Sequence, residues 1–393
     1  MDFDELKTLD DKYIMHTYGR FPVAIDHGEG ATLYDFDGNK YIDFTSGIGV
    51  TSLGTGNEKW AKAIYDQALK LGHVSNLYYT EPCVRLAEQL CTRTGMSNVF
   101  FGNSGAEANE GMIKLARKYS FDKYGEGRSV VITLNNSFHG RTITTLNATG
   151  QEVFHNYFFP FTEGFRYAEA NNIKDLISKG GNDVCAVMME LVQGEGGVMP
   201  LDPEYVATVR ELCNANDWLL LIDEVQSGVG RTGELFAFQG YDLMPDAVSF
   251  AKGIAGGLPM GGFMASEKVS DVLGPGTHGS TFGGNPIASS AALVVLETMD
   301  DEFLAGVRGK SDYIVKNILA MNSPFVKEIR GKGLMIGLAL EGITNKDLCV
   351  NLMNRGLLTL TAGQNVLRLL PPLAITKQEM DEGIEIMRDL LSE

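Results

Sequence analysis

Positive charge is scarce in this 393-residue chain: 33 Lys and Arg stand against 50 Asp and Glu, a formal net charge of −17. Nucleic acid and anionic membrane surfaces both require basic patches, so neither is an expected partner. Any anion bound here has to be held by local donors. Long apolar runs are also missing, and nothing approaches the roughly 20 residues of a membrane-spanning helix. The start, Met1-Asp2-Phe3-Asp4-Glu5, is acidic and has no apolar signal core. Cysteine is sparse: Cys83, Cys91, Cys185, Cys213 and Cys349 form an odd, scattered set with no C-x-x-C pair. That pattern argues against a disulfide framework and fits a reducing, cytoplasmic compartment. Cys185 and Cys213 lie in apolar contexts and read as small core residues. The glycosylation sequons at Asn135 and Asn147 are then chance matches. No metal site is expected, and no internal repeat or low-complexity tract is present.

What is there is α/β. The length exceeds one ordinary domain, so two are expected. Ser129–Leu134, Ala186–Glu190, Leu219–Asp223 and Ala247–Phe250 read as buried strands separated by helical stretches, which implies crossovers and a mainly parallel sheet. Glu204–Asn214 reads as one crossover helix, with Pro203 near its start. Towards the C terminus, Lys327–Leu340, Leu357–Thr361 and Val366–Leu370 read as strands. Thr376 and Glu379 form a capping box that opens a last helix with Met380, Ile384, Met387 and Leu391 on one face. These readings divide the chain into a large unit over residues 46–285 and a smaller α+β unit over 286–393. Residues 1–45 form an N-terminal segment with a hairpin over Leu33–Phe44 that packs near the smaller unit.

Asp223 and Lys252 each sit at the downstream end of a short apolar run, Leu219–Ile222 and Ala247–Phe250. Ligands of open α/β sheets collect outside the carboxyl ends of the strands. A carboxylate and an amine projected there are what pyridoxal phosphate (PLP) requires: the amine forms a Schiff base with the aldehyde, and the acid keeps a proton on the ring nitrogen. Taken alone, the two residues are better explained as a strand-end ion pair. Asn103-Ser104-Gly105-Ala106 follows Val99-Phe100-Phe101 and precedes an amphipathic helix, a ready anion site or a plain Ser cap. His278–Pro286 puts Ser280 and Thr281 in a Gly-rich loop, which by composition is first a connector. Gly228-Val229-Gly230-Arg231-Thr232-Gly233 matches G-x-G-x-x-G, but Asp223 and Glu224 occupy the strand end, where they would repel a pyrophosphate. The following Phe236–Gly240 is a poor helix start, and a dinucleotide reading is rejected.

Six motifs occur in order: Asn103-Ser104-Gly105-Ala106-Glu107-Ala108-Asn109, Phe138-His139-Gly140-Arg141-Thr142, Gln193-Gly194-Glu195-Gly196-Gly197, Asp223-Glu224-Val225-Gln226, the segment around Lys252, and His278–Pro286. Together they resemble the class III PLP-dependent aminotransferases, from about Arg20 to Pro372. The resemblance implies the fold-type I transferase architecture and a homodimer with shared active sites. It also implies roles. Lys252 would carry the cofactor and shuttle the proton, and Asp223 would pair with the ring nitrogen. Phe138 and Val225 would cover the two ring faces, with Gln226 near the ring hydroxyl. Ser104, Gly105 and Ala106 would hold the phosphate, joined by Thr281 from the other subunit, with Ser280 near substrate. Arg141 and Arg368 would grip substrate carboxylates, because arginine does so bidentately. Glu195 would switch against Arg368, and Glu190 would line the same site.

Within the family the chain is most similar to members that move the δ-amine of N2-acetylornithine to 2-oxoglutarate. Succinylornithine, ornithine and 4-aminobutyrate are the alternative donors. A PLP-binding protein kept for regulation would be expected to have lost Lys252 or Asp223, and both are present. One departure is Leu53-Gly54-Thr55-Gly56-Asn57-Glu58, where the family commonly has Leu-Gly-His-x-x-Pro.

Overall fold

In the computed structural model, which describes residues 2–392, seven strands build the central sheet. They are β1 (Asn98–Gly102), β2 (Val130–Leu134), β3 (Phe165–Ala168), β4 (Val184–Met189), β5 (Leu219–Asp223), β6 (Ala247–Phe250) and β7 (Gly261–Ala265). The spatial order is β1-β7-β6-β5-β4-β2-β3. All neighbours are parallel except β7, which runs against both β6 and β1. β4 and β5 are buried along their whole length, as continuous apolar strands covered on both faces should be. Leu219 to Ile222 are fully inaccessible, each burial worth roughly 1.5–3 kcal/mol. In register, Asp223 lies opposite Ser249, so the carboxylate and the Lys252 turn emerge side by side at the same sheet edge.

The sequence reading misses β3 and β7. The apolar pattern of β7 is broken by Gly261 and Gly262, and both are required by close approach. A Cβ on Gly262 would stand 2.3 Å from the Phe100 carbonyl oxygen, and one on Gly261 2.4 Å from that of Ser104. The crossover helix before β5 runs Pro203–Asn216, with Asp202 as its cap.

Two four-stranded sheets and a two-stranded one accompany the central sheet. Val326–Lys332 and Met335–Leu340 form a hairpin rather than one strand, because the chain turns at Gly333, whose φ is +57°. Val366–Leu369 and Leu360–Ala362 complete that antiparallel sheet. The expected strand at 357–361 splits, since Leu357–Leu358 leaves to pair parallel with Lys40–Asp43 of the N-terminal hairpin. The last helix, Lys377–Leu391, has the Thr376–Glu379 capping box and buries Met380, Ile384, Met387 and Leu391. Glu379 also accepts from the Ala31 amide at 2.6 Å, tying the N-terminal segment to this helix. In the departing 53–58 loop, Asn57 takes the position of N-cap for the helix Glu58–Lys70, its Oδ1 accepting from Trp60 N at 2.9 Å. No helix among the described residues is long and apolar enough to cross a membrane.

Candidate active site

At the carboxyl edge of β5 and β6 lies a cavity of about 420 Å³ whose lining includes Asp223, Val225, Gln226, Lys252, Phe138 and the Ser104-Gly105-Ala106 turn. Asp223 is buried on its floor. Its Oδ2 accepts from His139 Nδ1 and from Asn109 Nδ2, both at 2.7 Å, and its Oδ1 from Val225 N at 3.0 Å. Burial alone would push this carboxyl up. The His139 hydrogen bond and charge, followed by the Val225 and Asn109 donors, outweigh it and hold Asp223 below the ordinary carboxylate range.

Lys252 follows β6 with φ +43°, a left-handed conformation uncommon outside glycine and typical of side chains held for a task. Burial lowers its pKa to about 8. Glu195 opposes that shift and Arg368 reinforces it. A lysine so placed is available as a neutral nucleophile far more readily than a surface one.

On the phosphate side, Ser104 caps the helix Gly105–Tyr124 by accepting from Glu107 N at 3.2 Å. The N–H groups of Gly105 and Ala106 in that first turn have no intrahelical acceptor, which makes the helix end an anion site. Gly105 is packed against Val225: a Cβ there would lie 2.6 Å from a Val225 methyl. The turn and the wall residue therefore form one close-fitting cradle.

Glu190 is buried beside Phe138. It accepts from Phe138 N at 3.0 Å and from Gly194 N at 3.3 Å, and burial raises its pKa to about 7. Arg141 is exposed at the cavity mouth, its guanidinium 5.5 Å from the Phe138 ring centre and 4.2 Å from that of Phe154. Arg368 is buried, donating from Nη1 to Glu195 at 2.7 Å and to Gln226 Oε1 at 3.0 Å. Burial would raise the Glu195 pKa, but the charge and hydrogen bond of Arg368 win and hold it low.

Twelve of the fourteen residues named from sequence thus adjoin one another, through the cavity lining or through the Arg368–Glu195–Gln226 chain; Glu195 itself lines an adjoining polar cavity with Asn136, Gln151 and Arg330. Thr281 does not line the cavity: it is exposed, and its carbonyl accepts from Ser75 Oγ at 3.2 Å. Ser280 is closer, with Oγ accepting from Asn103 Nδ2 at 3.2 Å, but it too lies outside the lining. Ser104, although part of the lining, is solvent-exposed.

Sequence reasoning gave no role to Asn109 and His139, the two side chains that grip Asp223. Both lay inside quoted motifs, and the signal was periodic: Asn109 is one helical turn beyond Gly105, so it faces the same way. The Gly228–Gly233 segment leads into turns and a short 3-10 helix at Ala237–Tyr241, with no helix after its last glycine. Its Arg231 is buried, donating to the carbonyls of Leu334 and Pro371 and to Ser46 Oγ, and it joins distant parts of the chain. No group of three or more His, Cys, Asp or Glu among the described residues could hold a metal ion.

A lysine and a carboxylate at adjacent strand ends, beside a helix N terminus open to a phosphate, define a PLP-dependent transferase of fold-type I. Comparison with known proteins narrows the class. The family model of the class III aminotransferases matches residues 13–391. The acetylornithine aminotransferase of Haemophilus ducreyi is 51% identical over 395 residues, covering 100% of both chains. Among solved structures, the N-acetylornithine aminotransferase of Stenotrophomonas maltophilia superposes with a TM-score of 0.84 at 36% identity, covering 97% of each chain. The ornithine aminotransferase of Toxoplasma gondii reaches 0.95 at 31% identity, covering 99% of this chain and 94% of its own. The chain belongs to the class III aminotransferases and is a PLP-dependent aminotransferase.

Proposed function

We propose that the protein transfers the δ-amino group of N2-acetylornithine to 2-oxoglutarate, yielding N-acetylglutamate 5-semialdehyde and glutamate, a step of arginine biosynthesis in the cytoplasm. The observation that carries this reading is the Arg368–Glu195 pair, 2.7 Å apart beside Lys252. The two half-reactions present different ends of a substrate to the same place. The donor brings an amine on an uncharged methylene, and an unpaired arginine would face it without an anion. The acceptor brings a carboxylate next to its carbonyl. With Glu195 engaged, Arg368 is neutralised for the donor; with Glu195 displaced, it is free to grip the acceptor's carboxylate bidentately. Arg141, at the mouth, is placed for the distant α-carboxylate of the acylated donor. The names of the relatives support the acetylated substrate.

PLP, when bound, supplies an aldehyde that joins amines and a ring that withdraws electrons from the carbon losing a proton. The chain does the rest. Gly105 and Ala106 N–H groups, with Ser104 nearby, would hold the phosphate. Phe138 and Val225 would cover the ring faces, with Gln226 near the ring hydroxyl. Asp223 would keep a proton at the ring nitrogen, and Lys252 Nζ would move a proton at the substrate δ-carbon. Residues 46–285 are read as the cofactor-binding domain, 286–393 as the smaller domain, and 1–45 as a segment packed near it.

The protein is further read as a homodimer. Leu77, Tyr78 and Tyr79 are 79%, 72% and 100% exposed, an apolar strip that a second copy would cover. The same segment holds the 280–281 loop, Asn76 Nδ2 donating to Ser280 O at 3.0 Å, so the strip and Thr281 share one face. On that face Thr281 would reach the phosphate of the partner's cofactor.

The Glu195–Arg368 pair would serve other ω-amino donors as well, and the ornithine aminotransferase likeness keeps ornithine in view. A panel of acetylornithine, succinylornithine, ornithine and 4-aminobutyrate with 2-oxoglutarate decides. The highest kcat/KM is expected for acetylornithine; a clear preference for ornithine or 4-aminobutyrate overturns the assignment.

A further inference from the structure

Asp223 Oδ2 receives two donors at the same short distance, His139 Nδ1 and Asn109 Nδ2, each 2.7 Å away. An ionised carboxylate oxygen only accepts, so Nδ1 of His139 carries the proton in this contact. The two donors fill the two lone pairs of Oδ2. Oδ1 receives only Val225 N at 3.0 Å and a long approach from Ser249 Oγ at 3.4 Å. It is therefore the oxygen with accepting capacity to spare.

The two gripping side chains are also fixed to each other. Asn109 Nδ2 donates to the backbone carbonyl of His139 at 2.8 Å, and His139 N donates to Thr149 Oγ1 at 2.9 Å. Both residues are buried, and their remaining polar atoms, Asn109 Oδ1 and His139 Nε2, have no partner among the described residues. Buried polar groups in a merely structural network are satisfied. Here each residue leaves one polar atom orphaned while directing a donor at the same oxygen of one carboxylate, the arrangement of groups placed for that charge.

We propose that Asn109 and His139 are positioning residues for the reaction: a two-donor clamp that saturates Oδ2 of Asp223 and presents Oδ1 to the ring nitrogen of the cofactor. The inference rests on the PLP reading given above. Asn109 belongs to the helix whose first turn would hold the cofactor phosphate. One rigid element thus fixes the distance between the phosphate end and the ring-nitrogen end of the site. Loss of either donor leaves Oδ2 under-satisfied and lets the carboxylate rotate, so that the ring nitrogen no longer faces a fixed acceptor and surrenders its proton.

The test uses full-length protein loaded with PLP carrying 15N in the ring, comparing wild type, Asn109→Leu, His139→Phe and the donor-preserving His139→Gln. The 15N chemical shift reports ring-nitrogen protonation directly, and kcat and KM are measured alongside. In wild type the shift should be that of a protonated nitrogen at neutral pH. Asn109→Leu and His139→Phe should move it towards the unprotonated value and lower kcat by about ten- to a hundredfold, with KM changed by less than about threefold. His139→Gln should recover most of both. Retention of the wild-type shift in Asn109→Leu overturns the proposal, and that variant decides alone if His139→Phe does not fold. A wild-type protein that takes up no labelled PLP overturns the cofactor reading itself, a result distinct from an unchanged shift in a loaded variant.

Discussion

The floor and the rim of the cavity are built on opposite principles. On the floor, Asp223 is buried, receives three side-chain and backbone donors within 3.0 Å, and stands next to a lysine held in a left-handed turn. Everything it needs comes from one chain. On the rim, Thr281 is exposed, is held through its backbone carbonyl rather than its hydroxyl, and lies near the exposed Leu77–Tyr79 strip. Rigid strands fix the floor, and a loop whose side chain has nothing to bind presents the rim. The contrast separates the two regions: the floor is assembled within one sheet, whereas the rim leaves its side chain open to a surface that the proposed dimer would cover.

Breaking the floor should have the largest effect. If Lys252 is the cofactor's anchor and the proton carrier, as proposed, Lys252→Ala removes both, and kcat should fall by at least about ten-thousandfold, measured as glutamate formed from 2-oxoglutarate. Residual turnover within a hundredfold of wild type would show that the floor is not where the proton moves. Breaking the rim should cost less. If Thr281 reaches the partner's phosphate as proposed, Thr281→Ala loses one hydrogen bond there, and PLP should dissociate about three- to twentyfold faster on dialysis, with kcat at saturating PLP little changed. A Thr281→Ala protein that retains PLP as wild type does would remove the rim from cofactor binding.

The smallest and most discriminating effect is in pH. Burial lowers the Lys252 pKa to about 8, so the amine is mostly protonated below pH 8 and mostly neutral above it. Capture of added PLP by the cofactor-free enzyme should accelerate about tenfold per pH unit up to about pH 8 and then level off, followed by absorbance. A profile still rising steeply at pH 10 would mean that Lys252 is as exposed as an ordinary surface lysine.

The floor was legible in the sequence because strands advertise themselves. Leu219–Ile222 and Ala247–Phe250 are uninterrupted apolar runs, and the residue after such a run has only one place to be. β7 was invisible for the opposite reason: Gly261 and Gly262 are there so that neighbouring backbones can approach, and that requirement erases the apolar signal. The Leu357–Thr361 stretch looks like one strand because local pattern does not reveal that Leu357–Leu358 pairs with the N-terminal hairpin, more than three hundred residues away in sequence. Asn109 and His139 stayed without a role because a polar residue in a helix or after a strand reads as solvent-facing until the fold turns it inward. The rim was readable as Ser280 and Thr281 only through the family resemblance, since two hydroxyls in a Gly-rich loop read first as a connector.

The claim on which the rest depends is that Lys252 and the Asp223 floor together make a PLP site. Its most direct test is to incubate the purified protein with PLP, reduce with borohydride, digest, and map the mass of the pyridoxyl group by tandem mass spectrometry. Stoichiometric label is expected on Lys252 and none in Lys252→Ala. Label spread over surface lysines, or the same yield in the variant, would contradict it.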